Sequence, residues 1–143
     1  MAEYIFKSMT SEHSEVKIAS AALSGEKEGQ DMTAKAKECL SAHNVPFENR
    51  QAVVFCSEDY LKYDLIVCMD EWTRFNIKIR CLDDPFHKIF KLLEFSRSAE
   101  GMPEDDAMLY TSVSDPYYSG DYEKTFSEIC EGCIKLKERI TSG

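Results

Sequence analysis

The chain has 143 residues, 17 of them basic and 26 acidic, for a net charge of -9. That length suffices for one domain with a substantial core, and no Pro-, Gly- or Ser-rich stretch divides it, so residues 1–143 read as a single domain. An acidic chain without a basic run excludes a sequence-independent grip on nucleic acid or on an anionic membrane surface. No run approaches ~18 apolar residues and no charged-then-apolar leader is visible, so a cytoplasmic chain with no membrane association is the expectation.

In chain order, Ala2, Ile5, Phe6 and Met9 recur at helical spacing and predict an amphipathic helix at the start, without an N-cap among these residues. Val16-Lys17-Ile18 predicts a short strand running into the small residues Ala19 to Ala22, followed by a polar loop from Ser24 to Gln30. Asp31 is placed to cap the next helix, whose apolar face is Met32, Ala36, Cys39 and Leu40; Asn44 suits the left-handed position that ends it. An extended piece at Val53-Val54-Phe55 precedes a helical turn from Cys56 or Ser57 through Leu61.

Leu65-Ile66-Val67-Cys68-Met69 is a continuous apolar run of the length expected for a parallel strand buried on both faces. Asp70 caps a helix to about residue 80, which Asp83-Asp84-Pro85 breaks. Lys88 to Leu93 predicts another strand, and residues 96–112 a long polar loop. The last helix is marked by Tyr122, Phe126, Ile129, Cys133, Leu136 and Ile140, with Asp121 as its cap. Strands alternating with helices imply an α/β fold with a parallel sheet, whose ligands sit beyond the carboxyl ends of the strands.

The candidate chemistry lies before that last helix. In Ser114-Asp115-Pro116-Tyr117-Tyr118, Pro116 fixes its own φ and biases Asp115 away from helix, so that two tyrosines are placed to wall a pocket beside a carboxyl. A turn with exposed tyrosines is the alternative. The cysteines (Cys39, Cys56, Cys68, Cys81, Cys130, Cys133) lack the spacing of a disulfide scaffold and read as reduced thiols, mostly buried. Cys130-Glu-Gly-Cys133 resembles half a metal site or a redox pair, but no second pair and no nearby histidine completes it, so no metal is expected there. Cys68 alone has an arginine six residues on, Arg74, yet Asp70 and Glu71 between them oppose an anionic substrate and a thiolate alike.

Taken in order, Met1-Ala2-Glu3-Tyr4-Ile5-Phe6, Ser20-Ala21-Ala22 with Ser24-Gly25, Glu58-Asp59-Tyr60 with Tyr63 to Asp70, and Ser114 to Tyr118 with Gly120-Asp121 and the final helix resemble the low-molecular-weight protein tyrosine phosphatases over essentially the whole chain. The resemblance implies an α/β three-layer sandwich on a parallel four-stranded sheet of order 2-1-3-4. It also implies hydrolysis of phosphotyrosine or small aryl phosphates through a cysteinyl-phosphate, without a cofactor. Asp115 would then be the general acid that protonates the leaving phenolate, Tyr117 and Tyr118 would flank the substrate ring, and Ser20 would brace the phosphate loop.

In that family the nucleophile sits in a Cys-x5-Arg-Ser-Pro loop after the first strand, directly before a stretch like Met1-Ala2-Glu3. The expectation is therefore an N-terminally truncated family member that retains the acid, lacks the first central strand and the nucleophile loop, and does not turn over. Two further departures are the acidic Glu26-Lys27-Glu28 in a loop that often carries an aromatic, and Ala52-Val53-Val54 where Ala-Arg-Gln is common. The alternatives are a non-enzymatic pseudophosphatase binding module and an arsenate-reductase-like protein using Cys68 and Cys81. The expected partner is a phosphotyrosine protein or a small aryl phosphate, and unpaired strand edges make a homo-oligomer a further expectation.

Overall fold

The computed structural model describes residues 1–25, 29–49 and 51–142. The chain opens with α1 (Ala2–Met9), which buries Glu3, Tyr4, Ile5 and Phe6, nearly a full turn, and carries a Glu3–Lys7 ion pair of 2.7 Å one turn apart. Helix α2 (Ala34–Ala42) begins at Thr33, whose hydroxyl accepts from Ala36 N, rather than at Asp31. It ends in a Schellman motif, with Asn44 N–H bonded to Ser41 O and Val45 N–H to Leu40 O, and Asn44 at a φ of 57° as its side chain predicts. A short α3 (Ser57–Lys62) follows.

The parallel pair comes next. β1 (Ile66–Cys68) runs into α4 (Glu71–Arg80), capped by Asp70 accepting from Thr73 N at 2.8 Å, and the chain returns in β2 (Ile89–Lys91) in register Ile66↔Ile89 and Cys68↔Lys91. A 3-10 turn, Leu92–Phe95, ends the strand. The α4–β2 connection carries Leu82, Asp83 and Asp84 at φ of 52°, 61° and 59°. Asp84 holds this left-handed run together: its carboxylate accepts from Tyr60 OH at 2.6 Å, Lys88 N at 2.8 Å and Ile89 N at 3.1 Å.

The four-stranded sheet expected from the resemblance does not appear among the described residues, where the ladder has two strands and a single further parallel bridge joins Ala22 to Val54. Val16–Ile18 forms no strand, and β1 is shorter than the apolar run that predicted it. The reason is backbone pairing. Ile66 N–H bonds Lys88 O, which turns the main-chain groups of Val67 toward the other edge, and no ladder forms there among the described residues.

The rest of the chain is helical. Residues 96–112 are not one long loop, because Pro103 starts α5 (Glu104–Tyr110) with Glu104, Asp105 and Asp106 in its first turn. Helix α6 (Pro116–Ser119) is a single turn that ends at Gly120, and α7 (Tyr122–Thr141) closes the domain with Asp121 as its cap. The main core gathers Ile5, Leu40, Leu92, Leu93, Ile129, Cys133 and Leu136 from α1, α2, the 3-10 turn and α7. Each fully buried aliphatic there contributes about 1.5–3 kcal/mol. A second cluster of Tyr60, Cys68, Ile77, Cys81 and Ile89 lies between α3, α4 and the sheet. No helix is long and apolar enough to cross a membrane among the described residues.

Candidate functional site

Asp115 is held where local chemistry and tertiary contacts agree. Its backbone is extended, at φ -86° and ψ 113°, as a residue before proline must be, and its carboxylate caps α6 by accepting from Tyr117 N at 2.9 Å. Upstream, Val113 N–H bonds Met69 O at the end of β1. Ser114 is gripped on both main-chain groups by α7: its N–H donates to Glu128 at 3.1 Å and its carbonyl accepts from the Thr125 hydroxyl at 2.8 Å. Glu128 and Thr125 are buried beside the apolar stripe of α7. Sequence reasoning missed both, although two polar residues flanking an apolar stripe are themselves a signal of a buried tie.

An open cavity of about 780 Å³ lies in front of the acid, lined among others by Asp70, Trp72, Leu109, Asp115, Lys124 and Glu128. It occupies the carboxyl end of β1, where a parallel sheet places its ligands. Tyr117 and Tyr118 do not line it. They are 81% and 84% exposed and pack edge to face, with ring centroids 5.2 Å apart. In this arrangement α6 turns both rings outward, away from the residues that line the cavity.

The cations near the cavity are mostly engaged. Arg97 donates to Glu131 at 2.8 Å and to Tyr110 O at 2.8 Å, with Glu128 3.7 Å away. Arg74, six residues beyond Cys68, is shared between Glu71 and Glu94 at 2.9 and 3.0 Å. Lys124 has no ion pair among the described residues and faces the cavity. Ser20, expected to brace a phosphate loop, donates its hydroxyl to Glu3 at 2.5 Å. The Glu26-Lys27-Glu28 segment lies outside the described residues.

All the cysteines are free thiols, and every one is pushed upward. Burial drives Cys68 up to about 12, with the charge of Asp70 adding and that of Arg74 opposing. Burial likewise drives Cys133 up to about 12. Cys39, Cys81 and Cys130 are raised chiefly by burial, and the exposed Cys56 by its hydrogen bond to Glu58. A cysteine nucleophile needs the opposite environment, one of cations, backbone N–H groups or a helix N-terminus that favours the thiolate.

Comparison with known proteins agrees with this architecture. A sequence profile of the low molecular weight phosphotyrosine protein phosphatases matches residues 1–143, and the chain belongs to that family. It is 33% identical over 104 residues to the low molecular weight protein-tyrosine-phosphatase PtpA of Staphylococcus haemolyticus, a match covering 73% of this chain and 59% of that protein. A PtpA from Staphylococcus aureus strain RF122 is 34% identical over 106 residues, again covering 59% of its length. The chain thus spans less than two thirds of these curated relatives. In structure it is similar to YfkJ from Bacillus subtilis, with a TM-score of 0.86 and 23% identity over 99% of this chain and 85% of that one. The protein tyrosine phosphatase of Entamoeba histolytica with Hepes in its active site gives a TM-score of 0.82 at 22% identity, over 99% and 88% of the two chains. At those identities the likeness shows the α/β fold alone.

Proposed function

We propose that this chain is the acid-bearing body of a protein tyrosine phosphatase, in which Asp115 protonates the phenolate leaving a phosphorylated aryl group. Tyr117 and Tyr118, exposed on the turn that follows Asp115, are the rings that meet the incoming aryl group. Turnover requires a thiolate loop that these residues do not supply, so residues 1–143 alone do not hydrolyse phosphate esters. The carrying observation is the contrast at the site: the acid is tied at the lip of a cavity, while every cysteine sits where its thiolate is disfavoured. Metal-free acid–thiolate chemistry is the mechanism the family implies, and the acid half of it is what these residues offer.

The test is an aryl-phosphate assay of the 143-residue protein beside Asp115→Asn and Cys68→Ser. No rate above that of either variant is the expected result. A rate lost in Cys68→Ser would overturn the reading, since it would make Cys68 the nucleophile. The exposed tyrosine pair favours a second reading, a binding module for phosphotyrosine ligands. Saturable binding of a phosphotyrosine peptide that Tyr117→Ala weakens, without hydrolysis, supports it. The open edge of β1 further supports self-association through strand pairing, with a second copy as the partner.

A further inference from the structure

A second constellation lies away from the acid, on the seam between α2 and α7. Cys39 lies on α2 with His43 one turn on, at its C-cap, and Glu123 stands in the first turn of α7. The Cys39 thiol, a ring nitrogen of His43 and a carboxylate oxygen of Glu123 all lie within 4.8 Å of one another. One carboxylate serves both neighbours: His43 Nε2 is 2.7 Å from Glu123 Oε2, and Cys39 Sγ is 3.7 Å from Oε1. The histidine ring is held flat against Phe126, at 3.8 Å between centroids and 11° between planes.

An ion pair between the C-terminus of one helix and the N-terminus of the next accounts for His43 and Glu123. The buried thiol joins them, 3.7 Å from the other oxygen of the same carboxylate and 3.7 Å from the Tyr122 carbonyl. We propose that Cys39, His43 and Glu123 form a binding site for a divalent transition-metal ion of the zinc class, with water completing a tetrahedron. Sulfur, imidazole and carboxylate together suit Zn2+. In a tetrahedral site with bonds of ~2.0–2.3 Å, ligand atoms sit about 3.3–3.8 Å apart, a spacing that the sulfur–oxygen pair already has and that small side-chain rotations give the other two. Binding breaks the Cys39 S–H bond and releases its proton to solvent, while sulfur, nitrogen and oxygen each donate an electron pair to the ion; nothing is oxidised or reduced. The ion would join the end of α2 to the start of α7, the helix that holds Ser114.

The experiment titrates the full chain, carrying Cys56→Ser to remove the exposed thiol, with Co2+ and then Zn2+. One equivalent of Co2+ is expected to give tetrahedral d–d bands and a sulfur-to-cobalt charge-transfer band, both bleached by Zn2+, with one proton released per ion at about pH 8, above the ordinary histidine pKa. His43→Gln and Glu123→Gln, at accessible positions, weaken binding at least ~10-fold, and Cys39→Ser abolishes the sulfur band. Zn2+ raises the melting temperature of the parent but not that of His43→Gln. A sulfur band that survives in folded Cys39→Ser, a site that disappears with Cys56→Ser, or parent-like titration of both His43→Gln and Glu123→Gln overturns the proposal. Should Cys39→Ser fail to fold, the other two variants decide.

Discussion

Asp84 shows how much one side chain carries. Only 6% exposed, it takes three donors and sits in a run of left-handed residues that backbone bonds such as Asp83 N–H to Lys78 O also hold. Burial raises its carboxyl, but the bonds from Tyr60, Lys88 N and Ile89 N outweigh that and hold it below the ordinary carboxylate value. A folded-state pKa below the unfolded one gives stability that is present above about pH 4 and lost as pH falls through the folded value. Asp84→Asn should therefore cost ~1–3 kcal/mol at neutral pH and flatten the acid limb of a pH–denaturation series; an unchanged acid limb would count against the staple. Lys91 is a second such residue, its ammonium buried against Glu71 at 2.8 Å and Met108 O at 3.2 Å. Lys91→Ala leaves that carboxylate with Arg74 as its remaining cation, at 2.9 Å, and removes the donor to Met108 O, so it should cost ~1–3 kcal/mol in urea denaturation. Asp84 was legible in the sequence only as a helix breaker, because one donor comes from a tyrosine on another helix and the other two, Lys88 N and Ile89 N, reach it only through the fold of the connection.

At the scale of elements, α7 organises the molecule. It approaches the 3-10 turn so closely at Gly132 that an added Cβ would lie 2.5 Å from Leu92 Cγ, and Leu92 is itself fully buried. Gly132→Ala therefore overpacks a fixed neighbour and should destabilise by ~1–3 kcal/mol, even though alanine is the better helix former. Thermal melting checks the sign: stabilisation would mean the turn gives way. The same helix sets the acid loop, so Glu128→Gln with Thr125→Val should speed amide exchange at Ser114 while leaving α1 and α2 protected. Long periodic elements such as α7 were legible from the apolar stripe. Helix α5 was not, because it buries none of its residues and its only signals were Pro103 and the acids after it. Helix α6 is too short for any period, and its Asp115 cap and Gly120 stop become readable only as a pair. The grip of Glu128 on Ser114 depends on which face of α7 meets the loop, a fact no local pattern encodes.

Across the whole molecule, the sheet is short and its side chains are buried or half-buried, so what it leaves unpaired is backbone. Val67 presents main-chain groups away from β2, toward an edge with no ladder among the described residues, so concentrated protein should pair edge to edge. Sedimentation velocity should show a concentration-dependent dimer. Val67→Pro removes the outward N–H together with a half-buried valine side chain and should abolish the dimer; circular dichroism and a melting curve check that the variant still folds, and a dimer that persists in the folded variant places the contact elsewhere. The α/β class was legible from the alternation of elements, whereas the extent of the sheet was not, because strand length depends on what lies alongside.

The double hold on Ser114 has a consequence in time. The acid loop precedes α7 in the chain, yet Thr125 and Glu128 of α7 supply the bonds that seat it. During vectorial synthesis, Asp115 emerges with its own turn and the Val113 N–H to Met69 O bond to hold it, and the two bonds on Ser114 form only after the helix that follows has been made and has docked. The Asp115 loop is thus fully seated only once α7 has docked.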